Sequence, residues 1–251
     1  MLRTLLHRFP EPAKTPLRAV IRATGAAPMQ RVVKELRRRG VALSSSRALE
    51  VFGAAGNLHV KDYAPHVAAL EIWECDPSLE AALRVNFPAA TVKIVDSYRE
   101  IQTTRGRFDL VVVDNPGSIH QGRCEHFDII DDLFRVANDP AVIVLQTIPS
   151  GSDELRATYP YMLNEEQLER RRAFYQTETP DKVSLDTMAA VYTAIAKSHG
   201  WAVEWHFYQK RHYTFYLLAL QITRSARHRA GHVVFPLTPD ASPSKGEGRR
   251  A

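Results

Sequence analysis

Acidic side chains recur along the chain where short apolar runs end, and the first of them precedes a turn of small residues. Glu50 is followed by Gly53, Ala54 and Gly56. Small residues let the backbone approach a ligand closely, and the start of the helix that follows offers unpaired N–H groups. This pattern is typical of a ligand-binding turn, although such turns also serve simply to pack a strand tightly against a helix.

Three further acidic positions follow in order. Glu74, with Asp76 close behind, lies about 20 residues past the glycine turn, where a carboxylate can accept both hydroxyls of a ribose. Asp96 precedes Ser97, and Asp114 ends the next apolar run. Each acid by itself could simply cap a helix. Because all of them follow predicted strands in order, we favour a shared site.

The segment after Asp114 carries the other candidate catalytic groups. Asp114 could accept a hydrogen bond from a substrate amine or hydroxyl, and Asn115 could orient that group. His120 or His126 could act as a general base, because imidazole titrates near neutral pH. A surface or helix-capping role is the alternative for each histidine. We expect no metal, because Glu125 and His126 would point about 100° apart on a helix.

Strands and helices must alternate to bring these residues to one edge. Runs rich in β-branched residues at 48–52, 70–74, 91–95, 108–113 and 141–147 are separated by segments of helical periodicity. Near-continuous apolar strands indicate a parallel sheet covered by helices on both faces, and short connections imply right-handed crossovers. In such a doubly wound α/β sheet, ligands bind beyond the carboxyl ends of the strands.

The end of the domain is predicted to differ. A helix over 184–199 is followed by β-rich stretches at 201–208 and 213–223, which a short polar link joins. This spacing predicts a hairpin, and therefore an antiparallel final strand in a mostly parallel sheet of seven strands. The long segment 151–181 lies at the ligand edge. We expect it to be a substrate lid or, alternatively, an ornament packed on the sheet edge.

The chain of 251 residues divides into three parts by composition. A basic helical extension over 1–46 precedes the α/β domain over 47–223, and residues 224–251 form a predicted disordered basic tail. The net charge of +5 arises at these ends, whereas the middle is acidic, which disfavours a nucleic-acid-binding body. The basic face of the first helix, which includes Arg37 and Arg38, is either solvated or follows a phosphate backbone.

Cysteine usage and hydropathy bear on location. Two cysteines, Cys75 and Cys124, are too few for a disulfide scaffold and lack the paired spacing of a zinc site, so they favour a reducing, cytoplasmic compartment. No apolar run approaches the roughly 20 residues that a membrane helix needs. The Arg-rich first residues leave a mitochondrial transit peptide as the alternative.

Over residues 47–223 the sequence resembles the class I S-adenosylmethionine-dependent methyltransferases, which have a Rossmann-like fold. Residues 50–56 resemble the first motif of the family, an acid followed by a glycine-rich turn, and 114–117 resemble the fourth motif, where chemistry occurs. The resemblance implies that Glu74 meets the ribose of the cofactor and that Asp96 meets the adenine amino group. The residues predicted to bind the cofactor are Glu50, Gly53, Ala54, Gly56, Glu74, Asp76, Asp96, Ser97 and Asp114, and those predicted to act in catalysis are Asp114, Asn115, His120 and His126.

Two departures from the family pattern bear on the cofactor and on the substrate. Ala54 stands where the family most often has glycine, and an alanine usually fits there. In the fourth motif, Asn115 replaces the first proline, and Gly117 replaces the aromatic residue typical of enzymes that methylate amino groups of nucleic acids. Without that ring, a flipped base has no stacking partner, which disfavours base methylation.

The sequence therefore predicts methyl transfer from S-adenosylmethionine to an amine or hydroxyl of an unidentified acceptor, either a small molecule or a macromolecule. One alternative is an NAD(P)-dependent oxidoreductase, which shares the glycine turn and the ribose acid. The full Gly-x-Gly-x-x-Gly spacing and a Tyr-x-x-x-Lys pair are missing from the sequence, which disfavours that alternative. Another is a non-catalytic RNA-associated protein that keeps the fold and uses the basic helix.

Overall fold

The computed structural model describes residues 26–53, 59–114, 126–149, 164–212 and 215–225. Predictions for most of the basic extension and tail, and for Ala54, Gly56, Asn115 and His120, lie outside these ranges. No helix in the described ranges is long and apolar enough to cross a lipid bilayer.

Strands and helices alternate along the described chain. The strands are β1 (Arg47–Val51), β2 (Ala69–Glu74), β3 (Thr91–Ile94), β4 (Phe108–Val113), β5 (Ala137–Thr147), β6 (Trp201–His212) and β7 (Phe215–Arg224). The helices are α1 (Ala26–Arg38), α2 (Val60–Tyr63), α3 (Glu80–Asn86), α4 (Ser97–Thr103), α5 (Ile130–Val136), α6 (Glu165–Tyr175) and α7 (Leu185–Ser198).

The seven strands form one sheet in the order β3-β2-β1-β4-β5-β7-β6. Strands β1 to β5 are parallel to one another, and β7 is antiparallel to β5 and to β6. This topology confirms the predicted doubly wound α/β sheet with an antiparallel carboxyl-terminal hairpin.

The closing hairpin is longer than the sequence indicated. Gln209 pairs with Leu217 and Lys210 pairs with Tyr216, so the polar link that we predicted as a turn continues strand β6 instead. The prediction was wrong at this point because polar side chains are compatible with strand pairing wherever one face of the hairpin is solvated.

Helical layers cover both faces of the sheet, as the apolar strands indicated. Along β4, Leu110 and Val112 belong to one buried cluster, whereas Val111 and Val113 belong to the other. Successive side chains of a strand point to opposite faces, so both faces of β4 are buried, which explains its uninterrupted apolar sequence. The first cluster lies under α1, α2 and α3, and the second lies under α5, α6 and α7.

Helix α1 joins the domain through one apolar face. Its buried side chains, three or four residues apart, are Met29, Val32, Val33 and Leu36. On its polar face, Glu35 accepts hydrogen bonds of 2.7 Å from both Arg38 and Arg39. An internal acid therefore offsets part of the positive charge that the sequence suggested for phosphate binding.

The described part of the predicted lid belongs to the hydrophobic core. Arg171 of α6 is fully buried and donates hydrogen bonds to the carbonyl oxygens of Ile148, at 2.6 Å, and Pro180, at 2.8 Å. On the same helix, Tyr175 packs in one cluster with Tyr192 of α7. Helix α6 therefore packs against the core beside the end of β5 through Arg171 and Tyr175, and the lid and the ornament both stay predictions for the segment 151–181.

We expect Arg171→Met to lower the free energy of unfolding by about 3 kcal/mol, because two buried carbonyl oxygens would lose charge-assisted partners. Urea denaturation measures this loss. The neighbouring Arg172→Met is the matched control, since Arg172 is exposed and, within the described ranges, forms its ion pair with Glu169 on its own helix. It should change the free energy by less than about 0.5 kcal/mol. Equal losses in the two variants would contradict an anchoring role for Arg171.

Candidate active site at the carboxyl edge of the sheet

The carboxyl ends of the central strands lie side by side. In the strand register Val51 is paired with Trp73 on one side and with Val113 on the other, and Val113 is paired with Leu145. The acids that end β1, β2 and β4 therefore lie along one edge of the sheet. The segments after β1 and β4 pack on opposite faces, and ligands of open α/β sheets bind at such a divergence.

Glu50 and Asp114, which the sequence places 64 residues apart, are joined by His59. The Nε2 atom of His59 lies 2.9 Å from Glu50 Oε1, and its Nδ1 atom lies 3.0 Å from Asp114 Oδ2. The second contact is an ion pair whose angle falls outside the hydrogen-bonding range. Tyr63 completes the environment of Glu50 by donating a hydrogen bond of 2.7 Å to Oε2.

Asp114 has a second cationic partner, which comes from the closing hairpin. Arg211 of β6 donates from Nη1 to Asp114 Oδ1 and also to the side-chain oxygen of Gln146 in β5. Both carboxylate oxygens of Asp114 therefore contact a positively charged side chain. The set of Glu50, His59, Asp114 and Arg211 is called the edge cluster below.

The electrostatics of the edge cluster stabilise the charged forms of His59 and Asp114. Burial by itself would lower the pKa of His59, but the adjacent Glu50 and Asp114 carboxylates outweigh it and raise that pKa to about 10. Burial likewise opposes ionisation of Asp114, yet Arg211 and His59 hold its pKa well below the usual range. Burial raises the pKa of Glu50, which His59 and Tyr63 partly offset. The His59 ring thus lies between the carboxyl groups of Glu50 and Asp114, and Asp114 lies between His59 and Arg211.

The glycine turn approaches β2 closely. The backbone N–H of Gly53 donates to the carbonyl oxygen of Trp73 at 2.9 Å, and a Cβ atom at Gly53 would lie 2.3 Å from Cγ2 of Ile72. The preceding Phe52 has a φ of 67°, in the left-handed region that favours glycine. This conformation accompanies a contact between the rings of Phe52 and Tyr98, whose centroids are 5.3 Å apart.

The predicted ribose acid, Glu74, is buried at the end of β2, with 2% of its surface exposed. Its Oε1 atom accepts a hydrogen bond of 2.9 Å from the backbone N–H of Asp76. The Asp76 side chain in turn caps a short 3₁₀ turn by accepting from the N–H of Ser78 at 2.9 Å. Asp76 therefore has the capping role that the sequence left open as an alternative, and Glu74 is held in a fixed orientation.

Asp96 also caps a helix. Its side chain accepts a hydrogen bond of 3.0 Å from the N–H of Tyr98 at the start of α4, while Ser97 is buried at the first position of that helix. The same contact brings Asp96 beside the aromatic pair of Phe52 and Tyr98. Capping and adenine binding are compatible, because a carboxylate has more acceptor positions than one N–H uses.

His126 lies in a buried aromatic cluster beneath α6 and α7. Its Nε2 atom is hydrogen-bonded to the hydroxyl of Tyr192, and its ring contacts Phe127 and Phe174. Burial, reinforced by Arg171, lowers the pKa of His126 to about 3, so the ring is neutral at physiological pH. His126 therefore lies in the core, whereas Glu50 and Asp114 lie together at the carboxyl edge of the sheet.

Sequence reasoning missed four residues of the edge: His59, Tyr63, Gln146 and Arg211. The position of His59 soon after the glycine turn was a usable signal, because a polar residue there must lie near the ends of β1 and β4. Arg211 gave a weaker signal, since the sequence did not show that the hairpin reaches Asp114. Among the described residues, no group of three or more His, Cys, Asp or Glu side chains is arranged to hold a metal ion.

A cavity of about 450 Å³ lies at the opposite, amino-terminal edge of the sheet, beside Ser46 and Asp139. The Asp109 carboxylate in its wall accepts hydrogen bonds of 2.7 Å from the N–H of Arg47 and from Asn138 Nδ2. Its polar groups serve internal contacts of the strand ends, and none of the predicted site residues lines it. The carboxyl edge is therefore the better candidate site.

Comparison with known proteins adds a likeness in fold. No protein-family model and no curated protein matches the sequence. TYW2 from M. jannaschii in complex with AdoMet is 12% identical, with 76% of this chain and 75% of that chain covered and a TM-score of 0.47. The N-methyltransferase NodS from Bradyrhizobium japonicum WM9 is 13% identical, with 79% and 98% covered and a TM-score of 0.45. A ribosomal protein L11 methylase from Lactobacillus delbrueckii subsp. bulgaricus is 9% identical, with 76% of each chain covered and a TM-score of 0.43.

Gly53→Ala should lower the free energy of unfolding by about 1–3 kcal/mol, because the new methyl group would overlap a branched side chain that cannot swing away. A double-mutant cycle with Ile72→Ala, measured by urea denaturation, tests the cause. In the Ile72→Ala background the cost of Gly53→Ala should fall by at least about 1 kcal/mol. Strict additivity would show that the turn does not depend on this close approach.

The edge cluster should make stability depend on alkaline pH through His59. Its folded pKa of about 10 exceeds the ordinary value near 6.5, so its contribution is complete below pH about 6.5 and is lost as the pH rises through 10. Between these values the free energy of unfolding should fall by up to about 1.4 kcal/mol per pH unit. Tyr63, whose pKa is raised well above 10, keeps its proton in this range.

Urea titrations between pH 6.5 and 9.5 measure this slope. His59→Gln should flatten it, because glutamine does not titrate. His199→Gln is the control, since His199 is half-exposed and pairs with Asp131 at the surface, and this variant should keep the wild-type slope. A slope that His59→Gln leaves unchanged would assign the alkaline loss to another group.

Proposed function

We propose that this chain is an S-adenosylmethionine-dependent methyltransferase that acts on an amine or hydroxyl of its acceptor. The observation that carries the proposal is the position of a buried carboxylate, Glu74, beside the close-packed turn at Gly53, at the carboxyl edge of the sheet. Buried carboxylates are tolerated where they accept hydrogen bonds, and the two hydroxyls of a ribose are suitable donors at this edge.

The residues present suit an adenosine group. Glu74 would accept hydrogen bonds from the ribose hydroxyls, and Asp96 would meet the adenine amino group at the start of α4. The Phe52 and Tyr98 rings beside Asp96 supply an apolar aromatic surface of the kind on which a purine stacks. Because Gly53 has no side chain, the backbone of the turn can lie close to β2.

The edge cluster supports the chemistry because its acidic and basic side chains are paired. When bound, S-adenosylmethionine supplies an electrophilic methyl group and carries a positive charge at sulfur. Carboxyl groups lie beside both His59 and Arg211, which lowers the repulsion of a cation in this region of low dielectric. The same contacts hold the ends of β1, β4 and β5 in fixed positions, and alignment is the main requirement of an in-line displacement.

A group other than Asp114 must accept the proton that the acceptor amine or hydroxyl loses. Two cationic partners stabilise the ionised form of Asp114, so this carboxylate is a weak base. His126 is neutral, but it lies within aromatic side chains and is engaged by Tyr192. We therefore favour His120 over His126 as general base where the acceptor needs one, with Asn115 orienting the acceptor.

Calorimetry with S-adenosylhomocysteine and with NAD tests the proposal. We expect S-adenosylhomocysteine to bind and Glu74→Ala to weaken it by about 10- to 150-fold, or roughly 1.5–3 kcal/mol, because two hydrogen bonds to a carboxylate are lost. Glu74→Gln, which keeps the size of the side chain, serves if the alanine variant is unstable. Glu80→Ala, on the same side of the sheet but paired at the surface with Arg84, should leave the affinity within about twofold. Binding of NAD without binding of S-adenosylhomocysteine would refute the proposal and favour an oxidoreductase.

A further inference from the structure

Arg211 reaches the site because of an irregularity in strand β6. Lys210 pairs with Tyr216 and His212 pairs with Phe215, so Arg211 is an extra residue with no partner in β7. Such a β-bulge bends its strand and turns the extra side chain away from the regular alternation, and bulges are frequent beside functional sites. Here the bulge directs a guanidinium group over the carboxyl edge of the sheet.

The side chain of Arg211 contacts residues on strands that are not adjacent to its own. Strands β7 and β5 lie between β6 and β4 in the sheet, yet Arg211 contacts both Gln146 of β5 and Asp114 at the end of β4. The end of the hairpin therefore leans over the edge, and 11% of the Arg211 side chain remains exposed. The fold thus holds a cation above the gap between the ends of β1 and β4, where the segments that follow these strands turn to opposite faces of the sheet.

Among the described residues, hydrogen-bond acceptors contact only one nitrogen of the Arg211 guanidinium. Both of its hydrogen bonds, to Asp114 and to Gln146, come from Nη1. Within the described ranges, Nε and Nη2 have no protein acceptor, although a guanidinium offers a planar fork of donors that matches an oxyanion. Arginine often forms two parallel bonds with a carboxylate, and Arg211 does not use this arrangement with Asp114.

We propose that Arg211 binds an oxyanion of the acceptor, a carboxylate or a phosphate, and that Asp114 and Gln146 position its guanidinium for this purpose. The assignment of this anion to a methyl acceptor rests on the proposed function. The charges agree with this assignment. A cationic methyl donor and an anionic acceptor group bring opposite charges to the site, so together they leave its net charge unchanged.

Titration with inorganic phosphate and, separately, with acetate tests the proposal on the full chain. Binding is followed by the NMR signals of arginine Nε–H groups at constant ionic strength, and by calorimetry. Arg211→Gln removes the charge and the fork, whereas Arg211→Lys keeps the charge and removes the fork. Arg135→Gln is the control, because Arg135 is an exposed arginine that pairs with Asp132 and donates to the carbonyl oxygen of Thr104.

We expect saturable binding of at least one of the two anions by the wild-type chain and by Arg135→Gln. Arg211→Lys should weaken it by about tenfold and Arg211→Gln by about 10- to 100-fold, because charge-assisted bidentate contacts are lost. The tighter anion identifies the acceptor group as a phosphate or a carboxylate. Where Arg211→Gln does not fold, Arg211→Lys decides, since it still neutralises Asp114.

Two results would overturn the proposal. One is anion binding that is absent from the wild-type chain or that both Arg211 variants retain. The other is a loss of S-adenosylhomocysteine affinity in Arg211→Lys as large as in Glu74→Ala, which would assign Arg211 to the cofactor. Failure of the proposed function is separate, because then the wild-type chain would not bind S-adenosylhomocysteine although phosphate or acetate still bound through Arg211.

Discussion

The bridge that His59 forms between Glu50 and Asp114 is the contact on which the rest of the carboxyl edge depends. Strands β1 and β4 are neighbours, and the segments that follow them pack on opposite faces of the sheet, so a gap opens between their ends. Two carboxylates buried in this gap would repel each other strongly in a region of low dielectric. An imidazolium between them replaces that repulsion with two attractions.

The same electrostatic order extends along the edge. From Glu50 through His59 and Asp114 to Arg211, acidic and basic side chains alternate, and each has a side chain of the opposite type as its neighbour. Buried charges are tolerated when they are paired and hydrogen-bonded, and removal of one partner leaves another uncompensated. The closing hairpin is thereby tied to the centre of the sheet, because Arg211 completes the row.

A second buried cation stabilises the neighbouring end of β5 by different means. Arg171 donates to main-chain carbonyl oxygens, and its helix contributes Tyr175 to the aromatic cluster that surrounds His126. The two arginines therefore have different roles. Arg171 joins a helix to the core, whereas Arg211 keeps part of its guanidinium at the surface of the site. A search for function by residue type alone would treat them alike.

The sequence alone determined the architecture and the positions of the acids, because apolar strand patterns and strand-end carboxylates are local features that follow from periodicity. It predicted the seven strands, the antiparallel hairpin, and Glu74, Asp96 and Asp114 at strand ends, and the structure has them there. It also left open whether Asp76 and Asp96 cap helices, which the described contacts now answer.

Only the tertiary structure decided which side chains meet. His59 and Arg211 are 152 positions apart in the sequence and approach the same carboxylate because the sheet order places β1 beside β4 and because a bulge redirects β6. No local pattern encodes such a contact, since it depends on the packing of strands that are distant along the chain. For the same reason His126, which resembled a site residue by its position after Asp114, lies in the core, where apolar burial outweighs its proximity in sequence.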